Sequence, residues 1–267
     1  MRTDEGFLLV ATNYKPYHTA AQQLADSLKE FAPEHPVILF TEDKWVDCPG
    51  NHIFDEVHGG MPSSNRAKLL ALKDTPFDIT CYLDSDMVCV HPDAPLVFKG
   101  LKDGYDMAWT KIRTYAAAMV WWDKKQLKVP HGGMCLYRKS DKMISFMEQW
   151  WENWCWKKNQ VAEWDERWNG KYPYWETRGW DQFPLHLMMG VIRQDDPWYR
   201  PDIKWHWIYG GDPPCTPETD DWNDGSDSRW NWIIGYHHDR ENMKPEDIVF
   251  HDYSCLLFKS QYQNGRV

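Results

Sequence analysis

Asp84 and Asp86, one serine apart in the stretch Tyr82-Leu83-Asp84-Ser85-Asp86-Met87, are the residues best placed to do chemistry. Two carboxylates at i and i+2 can converge on one hard cation, directly or through water. Mn2+ and Mg2+ take oxygen ligands and commonly bridge protein carboxylates to substrate phosphates. In a solvated acidic turn the same string would do nothing, so its setting decides. The setting here is the apolar run 79–83, Ile-Thr-Cys-Tyr-Leu, which suits a buried strand and puts both carboxylates at its C-terminal end. A second candidate is the pair Gly132-Gly133, which permits close approach of backbone to a ligand or a strained turn.

The elements that must position these groups follow from periodicity. Residues 6–12 form a continuous apolar run of the kind found in parallel strands buried on both faces. Between 17 and 31 the apolar positions Ala20, Ala21, Leu24, Leu28 and Phe31 recur at helical spacing, and Pro33 and Pro36 end that helix. Val37–Thr41 is a second short strand, completing a β-α-β unit with a right-handed crossover. A helix starting near Pro62-Ser63-Ser64-Asn65 and carrying Ala67, Leu69, Leu70 and Leu72 leads into the strand at 79–83. That order is the first half of a doubly wound α/β sheet, whose ligands bind beyond the carboxyl ends of the strands. Further extended segments are expected at 87–90, 107–110 and 132–137, and helices at 140–158, opened by Ser140, and 181–189. Residues 159–180 read as aromatic and irregular, and 209–231 as a long loop rich in Gly, Pro and Asp.

At 267 residues the chain fits one domain, with 1–100 as a nucleotide-binding half and 101–267 as the other half. A net charge of −10 argues against nucleic acid as a partner, since phosphate backbones reward a basic face. No run of apolar residues is long enough for a transmembrane segment, and the N-terminus lacks the features of a secretory signal, so a soluble cytoplasmic protein is expected. Seven cysteines without a C-x-x-C pair read as reduced thiols, with Cys81 and Cys89 buried and structural. Eighteen tryptophans exceed ordinary packing needs and leave two readings open. They fill a core, or they stack on the apolar faces of sugar rings; Trp121, Trp122, Trp175 and Trp180 are the stacking candidates, whereas Trp150, Trp151, Trp154 and Trp156 read as helix packing.

The ordered set of short motifs resembles the GT-A fold of glycosyltransferases, nearest to the glycogenin-like and lipopolysaccharide galactosyltransferase-like retaining families. The matching pieces are Val10-Ala11-Thr12-Asn13-Tyr14, Arg66 to Leu72, Asp84-Ser85-Asp86, His131-Gly132-Gly133-Met134-Cys135-Leu136 and Trp180-Asp181-Gln182. The resemblance implies a nucleotide-sugar donor, by default a UDP-sugar, Mn2+ or Mg2+ as the cation, and a glycan or other hydroxyl acceptor. It implies that Ala11, Thr12, Asn13 and Tyr14 meet the base and ribose, and that Arg66 and Lys68 reach the donor or its diphosphate. It places Asp181 and Gln182 at the donor sugar, with His131, Gly132 and Gly133 lining it. A third metal ligand, a histidine from the C-terminal region, is implied as well. His251, after the apolar run Ile248-Val249-Phe250, and His238, six residues before Lys244-Pro245, both qualify, and His251 is the better fit. The usual Gly and Trp of the His…Lys-Pro motif are absent, and Glu241 and Glu246 stand in their slots.

Retention and inversion both stay open, because Asp181 is also placed to deprotonate an acceptor as an inverting base. Two other functions compete. A sugar-phosphate nucleotidyltransferase shares the architecture but ordinarily carries a Gly-rich basic loop after the first strand, where this chain has Thr12-Asn13-Tyr14-Lys15-Pro16. A non-catalytic, Trp-rich carbohydrate-binding module would have no use for the paired aspartates.

Overall fold

The computed structural model describes residues 4–111, 121–122, 125–126, 130–168, 181–208, 232–233 and 249–252. Strand β1 (Glu5–Ala11) lies parallel to both β2 (Val37–Thr41) and β4 (Ile79–Asp84), and β3 (Glu56–His58) extends the sheet beyond β2. On the other side of β4 follow β9 (Pro130–Arg138), β6 (Met107–Lys111) and β10 (Trp205–Trp207). The seven-stranded order is β10-β6-β9-β4-β1-β2-β3, and β9 alone runs against its neighbours. Two small sheets accompany it. One joins β5 (Met87–Cys89), β11 (Trp232–Ile233) and β12 (Phe250–Asp252); the other is the pair β7 (Trp121–Trp122) and β8 (Lys125–Gln126).

Strand alternation sorts the side chains into two cores, one on each face of the sheet. Phe7, Leu9 and Ala11 of β1 join Cys81 and Leu83 of β4 and Leu24 and Leu28 of helix α1 (Lys15–Phe31). Leu8 and Val10 point the other way, to join Tyr82, Cys135 and the helix α3 (Asp141–Asn159), which supplies Phe146, Met147 and Trp150. Helix α1 starts with Pro16 in its first turn, where the missing N–H costs nothing, and ends where Ala32 N–H bonds back to Leu28 O. The N-terminus of α3 is capped as expected by Ser140, whose hydroxyl accepts from Met143 N–H at 3.2 Å.

Several expectations are corrected. The helix before β4 is only one turn, α2 (Lys68–Ala71), continued by a tight 3-10 turn over Leu72–Asp74, so Arg66 lies ahead of the helix rather than in it. The segment read as irregular after residue 159 contains helix α4 (Val161–Arg167), stabilised by packing of Trp164 against Phe183 and Trp198. Strand β3 was not anticipated. Helix α5 (Gln182–Met188) matches the expected segment, and the loop 209–231 lies outside the described residues. Among the described residues, no helix is long and apolar enough to cross a membrane. Cys81 and Cys89 are buried free thiols, and burial raises both thiol pKa values, that of Cys89 to about 11.

Candidate active site

The period-2 alternation of β4 decides where Asp84 points. It shares a face with Tyr82, toward α2 and α3, and register places it beside Val10 of β1 and one step beyond the Leu83–Met134 pair of β9. Its neighbour on β9 is therefore Gly133. A Cβ on Gly133 would lie 3.2 Å from Asp84 Oδ2 and 2.7 Å from the His131 ring, so glycine is what lets both side chains close over the strand. On the other oxygen, Asp84 Oδ1 accepts from Lys68 Nζ at 3.1 Å and from the Tyr82 hydroxyl.

Lys68 is the hub. Its ammonium also donates to Gly132 O at 2.8 Å and stands 3.4 Å from Asp181 Oδ2. Arg66 Nε faces the other oxygen, Asp181 Oδ1, at 3.4 Å. The Lys68 and Asp181 side chains are only 9% and 5% exposed, against 30% for Asp84, so these charges work in a poorly solvated setting. Burial alone would discourage charge on both. The mutual fields outweigh it: Lys68 is held above its usual range by Asp181 and Asp84, and Asp181 is drawn down to about 2 by Arg66 and Lys68. Asp181 does not cap α5 with its side chain; the carboxylate is committed to the two cations instead.

Gln182 and His131 complete this group. The Gln182 side chain lies 3.1 Å from where a Cβ on Gly132 would sit. His131 Nδ1 accepts from Gly133 N–H at 3.3 Å, so the ring proton sits on Nε2. The sequence reading did not anticipate two supports behind these residues. Trp150 Nε1–H donates to Asp181 O at 2.7 Å from the buried face of α3, and fully buried His186 donates from Nε2 to Pro130 O at 3.1 Å. Burial pushes the His186 pKa down to about 4, which keeps the ring neutral. Trp150 had read as packing alone, since nothing in its spacing announces a partner on a distant loop.

The end of β1 forms the adjoining part of the edge. Asn13 adopts a left-handed backbone, φ 70°, which Asn tolerates better than most residues. Its N–H donates to Glu42 Oε1 at 2.6 Å and its side chain to Asn65 Oδ1 at 2.8 Å. Thr12 Oγ1 donates to Ser64 O at 2.6 Å, and Thr41 Oγ1 to Ala11 O at 2.7 Å. The Tyr14 ring packs edge-on to Tyr17. Residues 11–14 are thus tied to the segment that leads to Arg66 and Lys68. Glu42 is a further residue missed in sequence, although an acid directly after a buried strand follows the same logic as Asp84.

Ser85 and Asp86 form the turn between β4 and β5, and both are buried. Strand β12 runs antiparallel to β5 with His251 opposite Val88, two residues from Asp86. Burial lowers the His251 pKa, which favours the neutral imidazole a metal ligand needs. His238, Trp175 and Trp180 lie outside the described residues. Among those described, no three His, Cys, Asp or Glu side chains already form a cation cage. The oxygen donors at this edge are Asp84 Oδ2, which faces Gly133 rather than Lys68, and the buried Asp86 in the following turn. That donor set suits a hard cation that keeps open positions for phosphate oxygens.

No family model matches the sequence, and no curated protein matches it either. Solved structures do. The glycosyltransferase GlyE of Streptococcus pneumoniae TIGR4 superposes with a TM-score of 0.52 at 15% identity, over 98% of this chain and 51% of that one. The bifunctional glycosyltransferase WbbM gives 0.50 at 10% identity, over 95% of this chain and 46% of that one. This chain has the GT-A fold. The galactosyltransferase LgtC, solved with donor and acceptor sugar analogues, gives a TM-score of 0.47 at 13% identity, over 93% of this chain and 87% of that one. The chain spans about half the length of the GlyE and WbbM chains. Against the expected architecture, the GT-A fold is as anticipated; at these identities the likeness is one of fold.

Proposed function

We propose that this chain is a metal-dependent glycosyltransferase that moves a sugar from a UDP-sugar to a hydroxyl of a glycan or similar acceptor, with retention at the anomeric carbon. The observation that carries the reading is the gathering of Arg66, Lys68, Asp84, Gly132, Gly133, Asp181 and Gln182 at the carboxyl ends of the strands, from four separate stretches of sequence. A doubly wound sheet presents its ligand at that edge.

Each residue has a task in this reading. Asp84 and Asp86 hold the divalent ion, with His251 as third ligand. When bound, Mn2+ or Mg2+ would neutralise charge developing on the departing nucleoside diphosphate. The turn at Ala11, Thr12, Asn13 and Tyr14 receives the base and ribose, held in shape by Glu42 and Asn65. Ser85 sits between the two metal-holding carboxylates. Lys68 and Arg66 hold Asp181 in place, and Gln182 and His131 Nε2–H face the donor sugar with Gly132 and Gly133.

The state of Asp181 favours retention. A general base works best with a pKa near the operating pH. Asp181, at about 2 and bracketed by two cations, is too weakly basic to take a proton from an acceptor hydroxyl at neutral pH. It is suited instead to remain anionic beside a reacting carbon that gains positive charge, as oxocarbenium-like transition states do.

The deciding assay is release of nucleoside diphosphate from a panel of nucleotide sugars, with and without Mn2+. The expected result is metal-dependent release from a UDP-sugar that disappears in a folded Asp86→Ala variant. A carbohydrate-binding module would release none with any donor, and full activity in Asp86→Ala would remove the metal assignment.

A further inference from the structure

A hollow of about 570 Å3 opens at the edge of the large sheet opposite Asp84. Its position follows from strand direction. β6 and β10 are parallel, with Met107 beside Trp205, and both run against β9, whose first residues lie next to Asp84. The segments before β6 and β10 therefore lie at the end of the sheet away from the D-x-D turn; they supply Tyr105 and Lys204 to the hollow, and β10 itself supplies its first residue, Trp205. The loop after α5 supplies Gly190, Gln194 and Tyr199.

The aromatic walls are held rigidly. Gly190 has φ 69°, and a Cβ there would fall 2.5 Å from the Tyr199 ring, so the ring rests directly on the loop backbone. Tyr199 N–H donates to Asp196 O at 3.0 Å, and the buried Asp196 carboxylate is paired with Arg167. On the facing side, the Tyr105 ring packs edge-on to His206 at 4.6 Å. His206 is fully buried and anchored at both nitrogens: Nδ1 donates to Trp207 O at 2.7 Å, and Nε2 accepts from Lys102 N–H at 3.1 Å. Both tyrosine rings remain half-exposed, while Gln194 and Lys204 at the rim are exposed.

We propose that this hollow is a saccharide-binding site, separate from the Asp84 centre, that holds one or two pyranose units of a glycan. Its volume lies within the range of about 300–1,000 Å3 typical of small-ligand sites. Pyranose rings present an apolar C–H face and a rim of hydroxyls. The half-exposed tyrosine rings match the first, and the amide and ammonium groups at the rim match the second. Because the rings are already fixed, little ordering is needed on binding. On the proposed transferase reading, such a site would anchor an acceptor chain at a distance from the reacting end, although binding itself does not depend on that reading.

Saturation-transfer NMR on the full chain with galactose, N-acetylglucosamine, lactose, cellobiose and diacetylchitobiose tests this directly. At least one of these sugars is expected to bind, with affinity lowered by about tenfold or more in Tyr199→Ala and in Tyr105→Ala. Should either variant fail to fold, Gln194→Trp, at an exposed position, fills the hollow and is expected to block binding equally. Asp86→Ala is expected to leave that binding unchanged. Absence of binding by every sugar, or binding that survives all three pocket variants, would overturn the proposal. Metal-dependent donor turnover with no saccharide bound here would sink this site alone. Binding here without any donor turnover would leave the site standing and remove the transferase reading.

Discussion

Lys68 Nζ stands 3.4 Å from Asp181 Oδ2, and the two side chains are among the least exposed charges of the described residues. The pair joins the segment ahead of β4 to the start of α5, and Arg66 braces it from the second carboxylate oxygen. A structural consequence is that the candidate site holds together as an electrostatic unit before any ligand arrives.

Removing the hub should therefore cost stability as well as activity. Lys68→Met leaves the buried Asp181 carboxylate without the ammonium nearest its Oδ2, and breaking such a pair costs roughly 3–5 kcal/mol. Urea unfolding is expected to show a loss of that order. A change under about 0.5 kcal/mol, within the scatter of ordinary surface substitutions, would show that the pair is not enclosed as described.

Trp150→Phe separates positioning from packing. The ring remains apolar, but Asp181 O loses its buried donor, which is worth about 1–3 kcal/mol. Donor turnover is expected to drop through kcat with KM for the donor little changed, because the backbone of Asp181 shifts while the turn at 11–14, proposed to receive the nucleotide, is untouched. A loss confined to KM would argue for a different role.

Gly133→Ala probes the closest approach in the site. The new methyl would meet the His131 ring at 2.7 Å, and the ring must swing away. The variant is expected to fold with a stability loss of no more than about 1 kcal/mol, since the clash is with a side chain that can move. Its donor turnover should fall by at least about tenfold. Wild-type turnover from this variant would remove His131 and Gly133 from the account.

The pH dependence of folding should carry the signature of His186. Its pKa is lowered by burial to about 4, below the free value of 6.5, so the unfolded chain takes up a proton first as the medium acidifies. The contribution is complete above about pH 6.5 and is lost as the pH falls through about 4. Urea midpoints across that interval should decline in the wild type and flatten in His186→Gln, which retains a donor for Pro130 O. Equal slopes in both proteins would contradict a buried neutral imidazole.

The sheet was readable wherever one strand carried its own signal. The largely apolar runs at β1, β2 and β4 declared buried parallel strands, and the acid at the end of β4 marked the edge of the candidate site. Strand β3, Glu56–His58, has three residues, only one of them apolar, and exists because β2 offers it an edge. The reversed direction of β9 is equally silent in sequence, since alternation looks the same from either end. Helix α4 was hidden because the aromatic stretch from residue 159 onward read as irregular; its Trp164 is fully buried and packs against the rest of the fold. In the candidate site, the paired aspartates were legible from type and spacing, whereas Arg66, Lys68 and Asp181 were pointed to by the family resemblance. Their supports were not: Glu42 holding Asn13 N–H, Trp150 holding Asp181 O and His186 holding Pro130 O are contacts made across long stretches of chain, which only the folded sheet brings about.

Calorimetric titration of UDP into the protein, with and without Mn2+, tests whether Asp84 and Asp86 hold a cation that grips the diphosphate. UDP is expected to bind with Mn2+ at least about tenfold more tightly than without it, and the Asp84→Asn, Asp86→Asn double variant is expected to lose that enhancement while remaining folded. Equal affinity with and without the ion, or an enhancement that survives in the double variant, would contradict that role.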